Sequence, residues 1–119
     1  MNSKLLGSWG EACAAGFLRK KGYKPIAMGY RTRFGEIDII AENKEYIAFV
    51  EVKLRKDARF AEAREFVNKS KQEKIKTCAE MWLSIHETTL QPRFDVIEIY
   101  APLGEETANP RIEHIIDAF

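Results

Sequence analysis

The sequence predicts a mixed α/β fold in which helices pack on one central sheet of about five strands, in the order αβββαββ. Two segments with the spacing of amphipathic helices and five shorter segments rich in β-branched and aromatic residues predict this order. The chain has 119 residues, of which 45% are hydrophobic and 31% are charged. It is therefore long enough for one domain, residues 1–119, with a core of its own.

The first predicted helix covers the first twenty-two residues. Asn2 or Ser3 is suited to cap its start, and Gly22 is suited to end it in the left-handed conformation. Glu11 stands at the head of a row of small and apolar residues at positions 14, 15 and 18. Its carboxylate either points inward toward the sheet or is an ordinary exposed group of the helix.

The next segments predict three strands. We expect strands over residues 23–32, 35–42 and 46–54, with a turn at residues 33–35 between the first two. Asn43 and Lys44 form the expected two-residue turn of a hairpin, because Asn tolerates positive φ better than most residues.

The second half of the chain predicts a helix between a loop and two strands. Residues 55–68 are predicted to be a loop with a short helix around 63–67. A helix follows over 69–86, and strands follow over 94–100 and 111–116.

Composition excludes several classes of protein. Nineteen basic and eighteen acidic residues give a net charge of +1, and the two cysteines are too few for a disulfide scaffold. The sequence contains no Ser/His/Asp set, phosphate-binding glycine loop or zinc pattern. We expect a cytoplasmic protein without membrane contact, since no leader or membrane-length apolar stretch is present.

Positive charge is nevertheless concentrated in one region. Residues 53–92 carry nine basic and six acidic side chains, whereas residues 93–119 carry two and six. A local excess of this kind is suited to follow a phosphate backbone. The alternative, which charge alone favours, is an ordinary solvated helix face.

Asp38, Glu51 and Lys53 are charged residues inside strands that are otherwise apolar. Glu51 and Lys53 share a face because side chains alternate along a strand. The two-residue turn pairs residues 42 and 45, which makes Glu51 the diagonal neighbour of Asp38 on one face, about 7–8 Å away. A three-residue turn without a bulge would instead put the two acids on opposite faces.

Charges in this setting cost several kcal/mol unless something compensates them. Mg²⁺ is one such compensator, because it binds one or two carboxylates and keeps water and phosphate oxygens as its other ligands. Lys53 would then orient or activate a water and stabilise charge on phosphate. The alternative is a structural ion pair of Lys53 with the two acids. The tripeptide Glu-x-Lys alone is weak evidence, since the sequence contains it twice.

Several motifs follow one another along nearly the whole chain. They are Gly10-Glu11-x-x-Ala14-x-x-x-Leu18, Gly22-Tyr23, RTRFGEID from Arg31 to Asp38, FVEVKLR from Phe49 to Arg55, Arg93-Phe94-Asp95-Val96 and the closing HIIDAF. In this combination the sequence resembles the YraN-like family of endonucleases. That family looks like a minimal branch of the PD-(D/E)xK nuclease superfamily. Its core is similar to that of archaeal Holliday-junction resolvases.

The resemblance implies a restriction-endonuclease-like core and a set of site residues. Asp38, Glu51 and Lys53 would be catalytic, and Mg²⁺ or Mn²⁺ would be held by Asp38, Glu51, the Val52 carbonyl and Glu11. Lys44 stands where such hairpins often carry glycine, so the turn is either strained or longer than two residues.

Other polar residues near the proposed site are candidates for contact with nucleic acid: Arg31, Arg33, Arg55, Lys56, Lys71, Gln72 and Lys74. Glu36 shares a strand face with Asp38 and is either a further contact to metal or water, or a solvated residue. Asp95 is expected to pair with Arg93 or another base. His114 is expected to be a packed, hydrogen-bonded side chain rather than a general base.

The sequence thus leads to one main hypothesis and two rivals. The main one is a Mg²⁺- or Mn²⁺-dependent endonuclease that hydrolyses phosphodiester bonds in DNA rather than RNA, acting on branched or flapped intermediates. The first rival is a catalytically silent module of the same fold that binds nucleic acid or a protein. The second rival reads the charged hairpin as a homodimer contact.

Overall fold

The protein is represented by a computed structural model that describes residues 3–56 and 67–119, with side chains from residue 7 onward. Of the predicted caps, Asn2 lies outside these ranges and Ser3 is the first residue of the first helix; residues 63–66 of the predicted short helix also lie outside them. The elements are helices α1 (Ser3–Lys20) and α2 (Lys69–Ile85), strands β1 (Lys24–Thr32), β2 (Gly35–Glu42), β3 (Tyr46–Arg55), β4 (Gln91–Tyr100) and β5 (Arg111–Ile115), and a 3₁₀ turn at Gly104–Glu106.

The strands form one sheet in the order β1-β2-β3-β4-β5. Strands β3 and β4 are parallel, and the other neighbours are antiparallel. Helix α2 lies on the connection between the two parallel strands, since such a pair requires a crossover. The predicted α/β class and the order αβββαββ are confirmed, and a five-stranded sheet with two flanking helices is consistent with a restriction-endonuclease-like core. That residues 1–119 form a single domain stays a prediction.

The two faces of the sheet carry two separate apolar cores. The core on the α1 side contains Leu18, Ile39, Val50 and Ile97 among others. The core on the α2 side contains Ile40, Phe49, Ile75 and Val96 among others. Neighbouring residues of one strand therefore serve different helices, which follows from the alternation of side chains across a sheet.

The β2–β3 turn lies one residue later than predicted. The Asn43 N–H donates to the Tyr46 carbonyl at 3.0 Å, and Glu42 pairs with residue 47 rather than with Glu45. Asn43 Oδ1 accepts the N–H groups of Glu45 at 2.9 Å and Tyr46 at 2.8 Å, which fixes Asn43 at the start of the turn instead of its centre. The predicted register is thus wrong by two residues. An even shift keeps every side chain on its predicted face.

The helix boundaries agree closely with the sequence. Gly22 has φ +92°, and the Tyr23 N–H donates to the Leu18 carbonyl at 2.9 Å, so α1 ends in the expected left-handed turn. Asn68 Oδ1 accepts the Lys71 N–H at 2.8 Å and caps the start of α2. In the part of the chain that the structure describes, no helix is long and apolar enough to cross a membrane.

Candidate active site between β2, β3 and α2

Asp38 lies where the regular alternation of β2 breaks. Ile37 and Ile39 would share a face in a regular strand, but Ile37 packs in the α2-side core and Ile39 in the α1-side core. The opposite residue on β1, Gly29, has φ +66°, a conformation that disturbs the pleat. Asp38 is thereby turned toward β3, where its Oδ2 accepts the Val52 N–H at 2.8 Å.

Glu51 is the second acid of the site and is almost completely buried. The pairing of Ile39 with Val50 makes Glu51 the direct neighbour of Asp38 across the two strands, rather than its diagonal neighbour. Glu51 Oε1 lies 2.7 Å from Lys71 Nζ, and the two side chains are 6% and 45% exposed. Because Lys71 belongs to α2, this contact confirms that Glu51 faces α2.

Burial, reinforced by neighbouring acids, dominates the electrostatics of Asp38. Burial raises the pKa of Asp38 to about 7, and the charges of Glu51 and Glu11 add to burial, whereas the Val52 N–H and Lys71 oppose it. A carboxyl group in this state holds its proton near neutral pH unless a further cation arrives.

Lys53 stands two residues after Glu51 on the same strand and is half-buried. Burial and the charge of Lys71 lower the pKa of the Lys53 amine, against the opposing charges of Glu51 and Asp38. The structure thus places Lys53 within the electrostatic reach of both acids, as the predicted constellation requires. A lowered pKa also eases proton exchange with a water or substrate oxygen.

Glu11 and Glu36 complete the group of acids. Burial raises the pKa of Glu11 on α1, and the charges of Glu36 and Glu51 raise it further. Glu36 Oε2 lies 3.6 Å from Nη2 of Arg31, whose side chain is well exposed. Four carboxyl groups from α1, β2 and β3 therefore face a common region that two lysines border.

The donor set of this region suits a hard divalent cation. Asp38 and Glu51 offer carboxylate oxygens, and burial together with the charge of Glu51 raises the pKa of Asp38, an effect that a bound cation would oppose. Over residues 3–56 and 67–119 no three Asp, Glu, His or Cys side chains are gathered closely enough to hold one ion together. The fit therefore rests on two carboxylates, the number that Mg²⁺ commonly takes from a protein.

The predicted contacts to nucleic acid divide into engaged and exposed side chains. Arg55 Nε lies 3.0 Å from Glu98 Oε2 in a largely buried ion pair, and Gln72 Nε2 donates to the Val67 carbonyl at 2.8 Å. Both side chains thus have structural partners. The exposed set is Arg31, Arg33, Lys56, Lys71 and Lys74.

A pocket of about 320 Å³ opens beside the acids, between the β1–β2 turn and the first turn of α2. Its lining includes Gly35, Glu36, Asn68, Lys71 and Lys74. The pocket has a mixed charge, because its lining includes the acidic Glu36 as well as Lys71 and Lys74.

The sequence matches a known family of proteins. The profile described as "Uncharacterised protein family UPF0102" matches residues 10–99, a span that contains Glu11, Asp38, Glu51 and Lys53. The chain belongs to the UPF0102 family. This confirms the predicted YraN-like family.

Individual UPF0102 relatives match over their whole length. The chain is 42% identical over 120 residues to a UPF0102 protein of Caldanaerobacter subterraneus subsp. tengcongensis, covering 100% of this chain and 98% of the relative. It is 43% identical over 121 residues to a UPF0102 protein of Caldicellulosiruptor bescii, covering 100% of both chains.

Sequence reasoning about this UPF0102 chain missed the direct contact of Lys71 with Glu51. The cap at Asn68 was a usable signal, because it fixes the first turn of α2 and with it the direction of Lys71. The path of the crossover from β3 to β4, however, decides which strand residue Lys71 contacts. The remaining expectations for isolated residues are confirmed: Asp95 pairs with Arg93 at 2.7 Å, and His114 is packed and bonded to Asp95 at 2.8 Å.

Proposed function

We propose that this UPF0102 protein is a metal-dependent endonuclease of the PD-(D/E)xK type, similar in its core to archaeal Holliday-junction resolvases. The observation that carries the proposal is the hydrogen bond from the Val52 N–H to Asp38 Oδ2. It joins Asp38 on β2 to the Glu51-Val52-Lys53 segment of β3. Asp38, Glu51 and Lys53 thereby lie next to the point where the pairing of β2 with β3 ends, a combination suited to hydrolysis of a phosphodiester with a divalent cation.

The metal ligands in this proposal are the carboxylates of Asp38 and Glu51, with the Val52 carbonyl as a further ligand and Glu11 in support. When bound, Mg²⁺ or Mn²⁺ supplies charge that screens the phosphate oxygens and makes a bound water more acidic. The Val52 N–H holds Asp38 Oδ2 in place, which leaves Oδ1 for the cation.

Lys53 has the role of orienting the attacking water and stabilising the charge that builds on the phosphate. Lys71 is a second amine at the site. Its Nζ lies 2.7 Å from Glu51 Oε1, and in the complex it would turn to a phosphate oxygen when the cation takes its place beside Glu51.

The substrate in this proposal is DNA rather than RNA, in a cytoplasmic setting. Four exposed basic side chains are suited to phosphate contact: Arg31, Arg33, Lys56 and Lys74. Arg55 would contact phosphate while it stays paired with Glu98. The proposed substrates are branched or flapped DNA intermediates. A homodimer in which each protomer cuts one strand is part of this proposal.

Cleavage assays of single variants test the proposal. Purified protein is incubated with four-way junctions, flaps, single strands and blunt duplex in Mg²⁺ or Mn²⁺. Asp38→Ala and Lys53→Ala should lose cleavage by at least about a hundredfold while remaining folded, because each removes a charged group from the reacting centre. Glu113→Ala is the matched control, an exposed acid on the edge strand β5. Cleavage that persists in an Asp38→Ala, Glu51→Ala double variant would refute this assignment.

A second candidate function is binding of nucleic acid or a protein without catalysis. The Glu51–Lys71 ion pair favours it, because it satisfies the buried carboxylate without a metal. Calorimetric titration with Mn²⁺ separates the two functions. A silent module would show no binding heat that depends on Asp38, whereas the nuclease would lose that heat in Asp38→Ala.

A further inference from the structure

Phe34 is an aromatic side chain held at the tip of the β1–β2 turn, on the same strand connection that delivers the acids. Its side chain is 42% exposed, although most aromatic residues of the described chain are packed. It stands four residues before Asp38, about 13 Å along an extended strand. An aromatic face is therefore presented within a few nucleotides of the proposed reacting phosphate.

The turn that carries Phe34 is rigid. Thr32 Oγ1 accepts the Phe34 N–H at 3.0 Å and lies 3.1 Å from Cys78 Sγ on α2. Gly35 has φ +148°, and a Cβ at this position would lie 3.5 Å from Lys74 Cβ. The turn thus packs directly on α2, so exposure of Phe34 is a fixed property of the fold rather than a result of a loose loop.

The surroundings of Phe34 are cationic. The Arg33 guanidinium lies 4.8 Å from the centroid of the Phe34 ring. Lys71 and Lys74 line the pocket on the other side of Gly35. An aromatic side chain beside Arg33, with two lysines in the pocket that adjoins the same turn, is a combination suited to bind a base together with its phosphates.

We propose that Phe34, with Arg33, stacks on an unpaired base of the substrate, so that the protein selects DNA in which a single-stranded nucleotide adjoins the cleavage site. This inference rests on the proposed function for its substrate. A base inside a continuous duplex has both faces covered by its neighbours, whereas an unpaired base offers a face to Phe34. Arg33 and the two lysines hold the adjoining phosphates.

Other exposed apolar side chains do not share this setting. Leu103 and Ile85 are 67% and 71% exposed, more than Phe34, and single exposed apolar residues are common on proteins. Leu103 lies near the 3₁₀ turn that precedes β5, away from the β1–β2 turn. It therefore serves as a matched control for the loss of exposed apolar surface.

Binding in the presence of EDTA tests the proposal independently of cleavage. Fluorescence anisotropy is measured with a labelled single strand, a flap and a blunt duplex, for the wild-type protein, Phe34→Ala, Phe34→Trp and Leu103→Ala. Phe34→Ala should weaken binding to the single strand and flap about 5- to 100-fold, the range found when one stacking aromatic is removed. It should leave the blunt duplex within about twofold, and Phe34→Trp and Leu103→Ala should bind like the wild type.

The Phe34→Trp variant adds a direct readout of stacking. After subtraction of the wild-type signal, which contains Trp9 and Trp82, emission from the new indole should be quenched by the single strand and not by the duplex. Unchanged affinity in Phe34→Ala, equal losses on duplex and single strand, or an unquenched indole would each overturn the proposal. These outcomes are distinct from failure of the proposed function, which appears as cleavage that survives loss of Asp38 and Glu51.

Discussion

Two aspartates of the same sheet, Asp38, which is partly buried, and Asp95, which is fully buried, have pKa values shifted in opposite directions. Val50 on β3 pairs with Asp95 on one side and with Ile39, the neighbour of Asp38, on the other. Burial and neighbouring acids raise the pKa of Asp38 to about 7. For Asp95, burial also acts to raise the pKa, but hydrogen bonds from His114 and Arg93 outweigh it and lower the pKa below its usual value.

Asp95 is surrounded by donors. Arg93 donates to both carboxylate oxygens, at 2.9 and 2.7 Å, the Asp117 N–H donates at 3.0 Å, and His114 Nε2 lies at 2.8 Å. Lys21 Nζ lies 2.8 Å from His114 Nδ1. Because an ammonium only donates, Nδ1 must accept, so Nε2 carries the proton that bonds Asp95.

The difference shows which acid is architectural and which is available for chemistry. Each oxygen of Asp95 is matched by a donor, so no charge remains for a ligand to neutralise. Asp38 accepts one backbone N–H, and the charge of Glu51 acts on it more strongly than that of Lys71, which leaves it able to bind a cation. Both residues are aspartates on apolar strands, and their neighbours alone assign them different roles.

The largest expected effect on stability comes from Asp95. Asp95→Ala should destabilise the fold by about 3–5 kcal/mol, because it leaves the buried Arg93 guanidinium without its carboxylate. Urea unfolding at pH 7 measures this loss, with Glu113→Ala as the control for removal of an exposed acid. Asp95→Asn keeps the shape and should lose less. A cost below about 1 kcal/mol for Asp95→Ala would show that the network is not architectural.

Asp38→Asn should act in the opposite direction on stability. The raised pKa of Asp38 in the folded protein means that ionisation costs stability as pH rises from about 4, with the full cost reached above about 7. The neutral amide avoids this cost, so the variant should gain up to roughly 4 kcal/mol over the wild type at pH 8 and almost nothing at pH 4. Urea unfolding across this pH range checks the prediction, and a pH-independent difference would contradict it.

The smallest expected effect on stability is that of Lys71, a partly exposed amine that contacts Glu51. Lys71→Met should destabilise the fold by about 1–3 kcal/mol, because it leaves the buried Glu51 carboxylate without its partner. It should strengthen Mn²⁺ binding a few-fold, because no ammonium competes for Glu51. Calorimetry provides the measurement and Lys74→Met the control. Weaker Mn²⁺ binding in Lys71→Met would mean that the ion pair preorganises the site.

Local patterns predicted much of the fold and the charged residues inside its strands. Gly22 ends α1 in the predicted left-handed turn, and α2 begins at the predicted residue 69, because helix ends depend on groups within one turn. The turn at Asn43 was misplaced because its side chain can serve at the start or the centre of a turn. Strand β4 begins at Gln91, earlier than predicted, because the Gln91 N–H donates to the Glu45 carbonyl across a parallel pair that no local pattern announces.

The sequence by itself determined the order of elements, the shared face of Glu51 and Lys53, and the presence of acids inside apolar strands, since all three follow from periodicity and residue type. Only the tertiary structure decided that Gly29 breaks the alternation at Asp38, that Lys71 reaches Glu51, and that Asp95 is enclosed by donors. These contacts join residues far apart in the chain. Their energies depend on burial and on distances between charges, which local sequence does not encode.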